Sequence, residues 1–262
     1  MGVALERGLA QVWVRGYHQP MHALLSVLLP LLVASADADA VVDGIFRHQA
    51  IRDSTIASVS YRGRLSYTET DLRSSGVAQV ECERLITMPR VGEQSYELVD
   101  VRVDGQRLEG AAREREAGRL HSRGLVALET RMPFFPETRE EYSYRVSGPD
   151  TWEGMQVWHV EFIPTRPTRR HIRGFARVLD GSFDVVSMEF VPCRLPFVVT
   201  AVRMKLDYAL VHGYWLPVRF QMDMDLRLAV VVELMRRHIR VEDHYWGHQL
   251  NSASPAMTEG SD

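Results

Sequence analysis

Lysine is almost missing from this chain: Lys205 stands alone among 31 basic residues. The rest are arginines, so no single Arg marks a dedicated anion site. Cysteine is equally scarce, and Cys82 and Cys193 are the only two. They either form one disulfide closing a long loop or stay as two unpaired thiols. A Gly-rich phosphate loop, G-x-S-x-G, H-E-x-x-H and C-x-x-C are all lacking. No catalytic residues, no cofactor and no enzymatic activity are therefore expected. Three histidines, His238, His244 and His248, are the nearest thing to a metal cluster. On an extended strand His244 and His248 lie roughly 13 Å apart, too far to share one ion, so no metal is expected.

Long hydrophobic runs are also missing. The apolar stretch from Ala23 to Ala36 contains Pro30 and is about fourteen residues, against roughly twenty for a spanning helix. Ala34-Ser35-Ala36 and Ala36-Asp37-Ala38 both fit a cleavage signature. Residues 1–36 are expected to be a signal peptide, with Met21 an alternative start, and the mature chain periplasmic or secreted. No Cys follows the cleavage region, so no lipid-modified N-terminus and no transmembrane segment are expected in the mature chain. Removing residues 1–36 takes away Arg7, Arg15 and Glu6, which leaves a mildly negative protein with no general reason to bind nucleic acid.

The mature chain is rich in alternation. Residues 39–58 place Val41, Val42, Ile45, Phe46, Ile51 and Ile56 at helical spacing and predict one amphipathic helix. From residue 59 onward the period changes to two. Strands are predicted in "VSYRGRLSYTE", "GVAQVECERLITMP", "QSYELVDVRVDG", "MQVWHVEFIP", "FVVTAVRMKLDYALVHG" and "HIRVEDHYW", with a hairpin around Asp180-Gly181. Residues 107–123 interrupt them as a charged, exposed helical insert. Residues 251–262 are Ser/Ala/Pro-rich and expected to fray. With no βαβ rhythm and no repeat, the prediction is a mainly β (α+β) fold. One domain over residues 37–250 would hold about 9–11 antiparallel strands in one strongly curved sheet, with the N-terminal helix before them.

The longest alternation is "LPVRFQMDMDLRLAVVVEL", read as one two-faced ribbon from Leu216 to Leu234. Leu216, Val218, Phe220, Met222, Met224 and Leu226 are the candidate lining of an apolar ligand cavity, Met being suited to ligands of varied shape. In "RPTRRHIR", Arg166, Arg169, Arg170 and Arg173 form a basic loop that can meet a phosphate head group or a partner protein.

"IRGFARVLDGSFDVVSMEFVP", "GYWLPVRFQMDMDLRL" and "IRVEDHYW" together resemble exported bacterial proteins related to the outer-membrane lipoprotein-sorting (LolA-like) group. The resemblance covers most of residues 40–248. It implies an unclosed β-barrel wrapped over helices, with a cavity that takes acyl chains of lipoproteins or lipids in the periplasm. The alternative expectation is an envelope interaction or sensing module whose core is filled by its own side chains.

Overall fold

Strands dominate because the alternation is long and uninterrupted. The computed structural model describes residues 22–89, 95–122, 131–229 and 233–252. Residues 1–21, the front of the expected signal peptide, and 253–262, most of the expected frayed tail, lie outside the described residues. The chain divides into two compact units, Met1–Asp37 and Ala38–Asp262. Of the first, the helical course of residues 22–37 is described.

Helix α1 (His22–Thr55) is followed by β1 (Ile56–Asp71), β2 (Val77–Pro89), β3 (Ser95–Val103) and the two-residue β4 (Gln106–Arg107). Helix α2 (Gly110–Ser122) and a 3-10 turn (Pro136–Glu141) lead to β5 (Tyr142–Trp152), β6 (Met155–Pro164), β7 (Ile172–Leu179) and β8 (Val185–Pro192). The chain ends in β9 (Val199–Val211), β10 (Tyr214–Ala229) and β11 (Glu233–Ser252). All eleven form one sheet in the order β4-β3-β2-β1-β11-β10-β9-β8-β7-β6-β5. Neighbours run antiparallel, and the edges β4 and β5 do not pair, so the barrel is unclosed as predicted. The last strand lies mid-sheet, joining β1 to β10. Among the described residues no helix is long and apolar enough to cross a membrane, which says nothing about strands.

Three differences from the sequence reading have physical causes. Strand β5 was not predicted, because Gly148-Pro149 interrupts its alternation. The ribbon read as continuous from Leu216 to Leu234 is two strands, β10 ending at Ala229 and β11 beginning at Glu233: Leu228 pairs with Met235 and Ala229 with Glu233, and residues 230–232 lie outside the described residues. Within the charged insert, α2 buries Leu120 in the core, and Arg113 donates to the Leu98 carbonyl. With Glu116 they follow a helical stripe of i, i+3 and i+7, so α2 is docked on one side.

The core occupies one face of the sheet. Leu65, Tyr67, Val80, Cys82, Val160, Phe162, Met188, Met204, Met222 and Val241 belong to one buried cluster. From the other side it is closed by Val41 and Ile45 of α1 and by Phe134. This face is called the inner face below.

Candidate functional site

The predicted cavity residues divide at one irregularity. Phe220, Met222, Met224 and Leu226 pair with Leu206, Met204, Val202 and Val199 and lie on the inner face. Met222 is buried in the core cluster, and the other three pack against it. The β10–β9 register slips between Pro217 and Arg219, at Val218. Proline has no N–H for the ladder and commonly sits at such breaks. The slip inverts the alternation. Leu216 pairs with Ala209, one residue on from the inner-face Tyr208, so it lies on the opposite face. Leu216 is buried, but outside the core cluster. Trp215 and Pro217 take the inner positions instead.

Trp215 and Tyr208 line a cavity of about 60 Å³ at the edge of the inner face. Its other walls include Ile45, His48 and Arg52 of α1, Phe134, and Phe183-Asp184 between β7 and β8. The Tyr208 hydroxyl donates to the Met188 sulfur at 3.7 Å, and burial pushes its pKa up to about 12. Helix α1 is tied over this edge at a few points. His48 Nε2 lies 2.7 Å from Asp184 Oδ1, Arg139 pairs with Asp43 and stacks 4.7 Å over the Phe46 ring, and the Tyr214 hydroxyl donates to Thr55 at 3.4 Å. Gly44 sits directly beneath Phe183: a Cβ there would lie 2.6 Å from the ring. Phe183 itself has a φ of 62°, a left-handed conformation that costs an aromatic residue about 1 kcal/mol or more. A strained Phe and a helix glycine thus interlock where the cover meets the sheet.

An ion pair that sequence reasoning missed is built into the inner face. Arg84 on β2 and Asp243 on β11 bond to each other across β1, and both are buried. The strand between them carries Gly63, which pairs with Arg84 on one side and Tyr245 on the other. A Cβ on Gly63 would stand 3.0 Å from Ile86 and 3.4 Å from Asp243, so the missing side chain opens the gap that the pair bridges. Arg84 Nε and Asp243 Oδ1 are buried with no hydrogen-bond partner among the described residues. Burial pushes the Asp243 carboxyl up, against the pull of Arg84; burial opposes the Arg84 charge, and Asp243 more than restores it. Burial and the neighbouring Asp243 charge also hold the Tyr245 phenol well above its ordinary range.

The predicted basic loop is at the other end of the sheet. Arg166, Arg169, Arg170 and Arg173 are exposed around the β6–β7 connection, and none lines the cavity. The cavity residue Phe183 follows the far end of the eight-residue β7, roughly 23 Å away. The loop is pinned by His171, whose Nδ1 accepts from the Thr168 N–H at 3.1 Å, leaving Nε2–H to donate to Glu141 at 2.8 Å. Desolvation works against the Glu141 charge, but bonds from His171 and Arg131 hold its carboxyl below the ordinary range.

Cys82 and Cys193 are both free, so the disulfide alternative is not formed in this structure. Four strands separate β2 from β8 in the sheet, and burial pushes the Cys82 thiol up to about 11. Among the described residues no group of three His, Cys, Asp or Glu is placed to hold a metal ion. His238 bonds Asp225 at 2.8 Å, and His248 Nε2 meets the Pro217 carbonyl at 2.9 Å.

No family model and no curated protein matches the chain. Among solved structures it is similar to a DUF1329 family protein from Desulfovibrio piger, at 10% identity over 82% of this chain and 93% of that chain, with a TM-score of 0.39. It is similar to an outer-membrane lipoprotein-sorting protein domain from Vibrio parahaemolyticus, at 12% identity over 82% and 94%, with a TM-score of 0.39. It is also similar to a LolA superfamily protein from Nitrosomonas europaea, at 10% identity over 83% and 94%, with a TM-score of 0.33.

Proposed function

We propose that the chain is a non-catalytic periplasmic binder of acyl chains, carried by lipoproteins or lipids. Its inner sheet face is the binding surface, and α1 residues 38–55 are a displaceable cover. The observation that carries this reading is the cover. An apolar face drawn from most of an eleven-strand sheet is closed by a helix contributing Val41, Ile45 and Phe46. An antiparallel sheet with one apolar face needs something on it, its own helix or a ligand. If the helix leaves, buried acyl surface replaces the lost contacts at about 25 cal/mol per Å². The resemblance of the sequence to the lipoprotein-sorting group supports the same reading.

One observation favours the alternative of an envelope interaction module. A cavity of about 60 Å³ is far below the roughly 300 Å³ or more of a typical ligand pocket. The carrier reading therefore requires the described state to be closed, with α1 competing against cargo.

Titration with a brominated fatty acid, read by tryptophan fluorescence, separates the two. The carrier reading expects saturable quenching that Trp215→Phe largely removes. It also expects Gly44→Leu, which wedges the helix from Phe183, to bind the ligand several-fold more tightly, because the closed state no longer competes. Absence of quenching in both the unaltered protein and Gly44→Leu contradicts the carrier.

A further inference from the structure

One end of the sheet collects exposed apolar side chains and arginines that neither the cavity nor the core uses. Along that end lie, in succession, the β1–β2 turn, the paired ends of β10 and β11 at Ala229 and Glu233, and the β8–β9 and β6–β7 loops. Backbone bonds link them in a row: Leu72 N–H to Arg236 O at 2.9 Å, Arg227 N–H to Val198 O at 2.8 Å, and Cys193 N–H to His171 O at 2.9 Å. Each of the first three presents a large apolar residue to solvent. Leu72 is 47% exposed, Leu234 54%, Leu195 40% and Phe197 87%. Phe197 is the most exposed large apolar side chain among the described residues.

Arginines flank every one of these tips. Arg73 stands beside Leu72, Arg236 beside Leu234, Arg194 beside Leu195, and Arg166 and Arg169 on the adjoining loop. Arg73 also donates to the Leu234 carbonyl at 2.9 Å, tying two tips together. Two carboxylates adjoin the tips in sequence, Asp71, which accepts the Arg73 N–H at 2.9 Å, and Glu233 before Leu234; Asp104 stands on the next turn along. The five arginines outnumber these three carboxylates, so the row is net cationic in a protein whose formal net charge is −3.

We propose that this end of the sheet docks on a bilayer surface bearing anionic head-group phosphates. Phe197, Leu195, Leu234 and Leu72 enter the interface, and the arginines meet the phosphates. Separate apolar tips, each with an arginine within three residues, match a layered partner with an apolar interior and an anionic skin. A protein partner would instead reward a contiguous patch with pockets for its anchors. The β6–β7 loop is pre-ordered for the task by the Thr168–His171–Glu141–Arg131 network. The inference goes beyond the acyl-binding reading and does not depend on it.

Co-sedimentation with vesicles tests the proposal. Residues 38–262, a compact unit of their own, avoid the apolar N-terminal stretch. Partitioning is expected to be at least tenfold stronger with about 30% phosphatidylglycerol in phosphatidylcholine than with phosphatidylcholine alone, and to fall with added salt. The triple variant Arg166→Gln, Arg169→Gln, Arg194→Gln is expected to lose on the order of a hundredfold. Leu195→Ser with Phe197→Ser is expected to lose on the order of tenfold or more. All five positions are exposed, so a melting curve superimposable on the parent's shows that folding is intact. Equal partitioning into both vesicles, or unchanged partitioning of either variant, overturns the proposal. So does capture of an envelope protein through these residues without any vesicle binding.

Discussion

Replacing either member of the Arg84–Asp243 pair alone is expected to destabilise the protein by about 3–5 kcal/mol, because the partner is left as an uncompensated buried charge. For a chain of this size that lowers the melting temperature on the order of 10 °C. Arg84→Met and Asp243→Asn are the variants, read by thermal or urea unfolding. The double replacement Arg84→Met with Asp243→Leu is expected to recover most of the loss, since two well-packed apolar residues avoid desolvating two ions. A double variant as damaged as the sum of the singles contradicts this.

The pH dependence distinguishes the singles. Burial already holds the Asp243 carboxyl above its unfolded value, and removing Arg84 leaves that shift unopposed. A folded pKa above the unfolded one means the folded state binds the proton more tightly. Stability lost to the Asp243 charge therefore returns as pH falls through the folded pKa. The deficit of Arg84→Met should shrink on acidification. That of Asp243→Asn should not, because the orphaned guanidinium does not titrate in that range. Glu141 works in the opposite sense: its folded pKa is lowered, so its contribution is present above the unfolded value and lost as pH falls through the folded one.

The second large effect is at Gly174 on β7. A Cβ there would lie 2.0 Å from the Glu189 carbonyl oxygen and 2.7 Å from Phe190 Cα, both backbone atoms of β8. Neither is the end of a side chain that can swing away, so Gly174→Ala must separate two central strands. The expected cost is about 3 kcal/mol or more, at the top of the range for overpacking, with loss of soluble protein at growth temperature. Gly118→Ala is the control, since a Cβ in that α2 position meets nothing within 4 Å and removes a helix-breaking residue. Equal melting temperatures for Gly174→Ala and the parent contradict the close approach.

These residues also mark how far the sequence could be read. Strand count and antiparallel pairing follow from alternation and turn signals, as at Asp180-Gly181, whereas the unclosed barrel entered only with the resemblance. The inner face of β10 from Phe220 to Leu226 follows from the same alternation. Leu216 does not, because one extra residue at Val218 reverses every assignment before it, and only Pro217 hints at the break. The Arg84–Asp243 pair joins positions 159 residues apart, across a glycine that looks like an ordinary interruption of β1. The apolar tips Leu72, Leu195, Phe197 and Leu234 are unrelated in the sequence, and pairing of the six strands β2-β1-β11-β10-β9-β8 brings them to one end. The basic loop was visible; its company was not.

The central claim is that α1 covers a face made for acyl chains. Native mass spectrometry of the protein recovered from a bacterial periplasm, followed by solvent extraction, tests it most directly. The account predicts adducts that extract as acyl-chain species and are lost in the variant Trp215→Asp with a folded melting profile. A clean mass that stays clean after lipids or lipopeptides are added would contradict it, and would assign the covered face to the protein's own core.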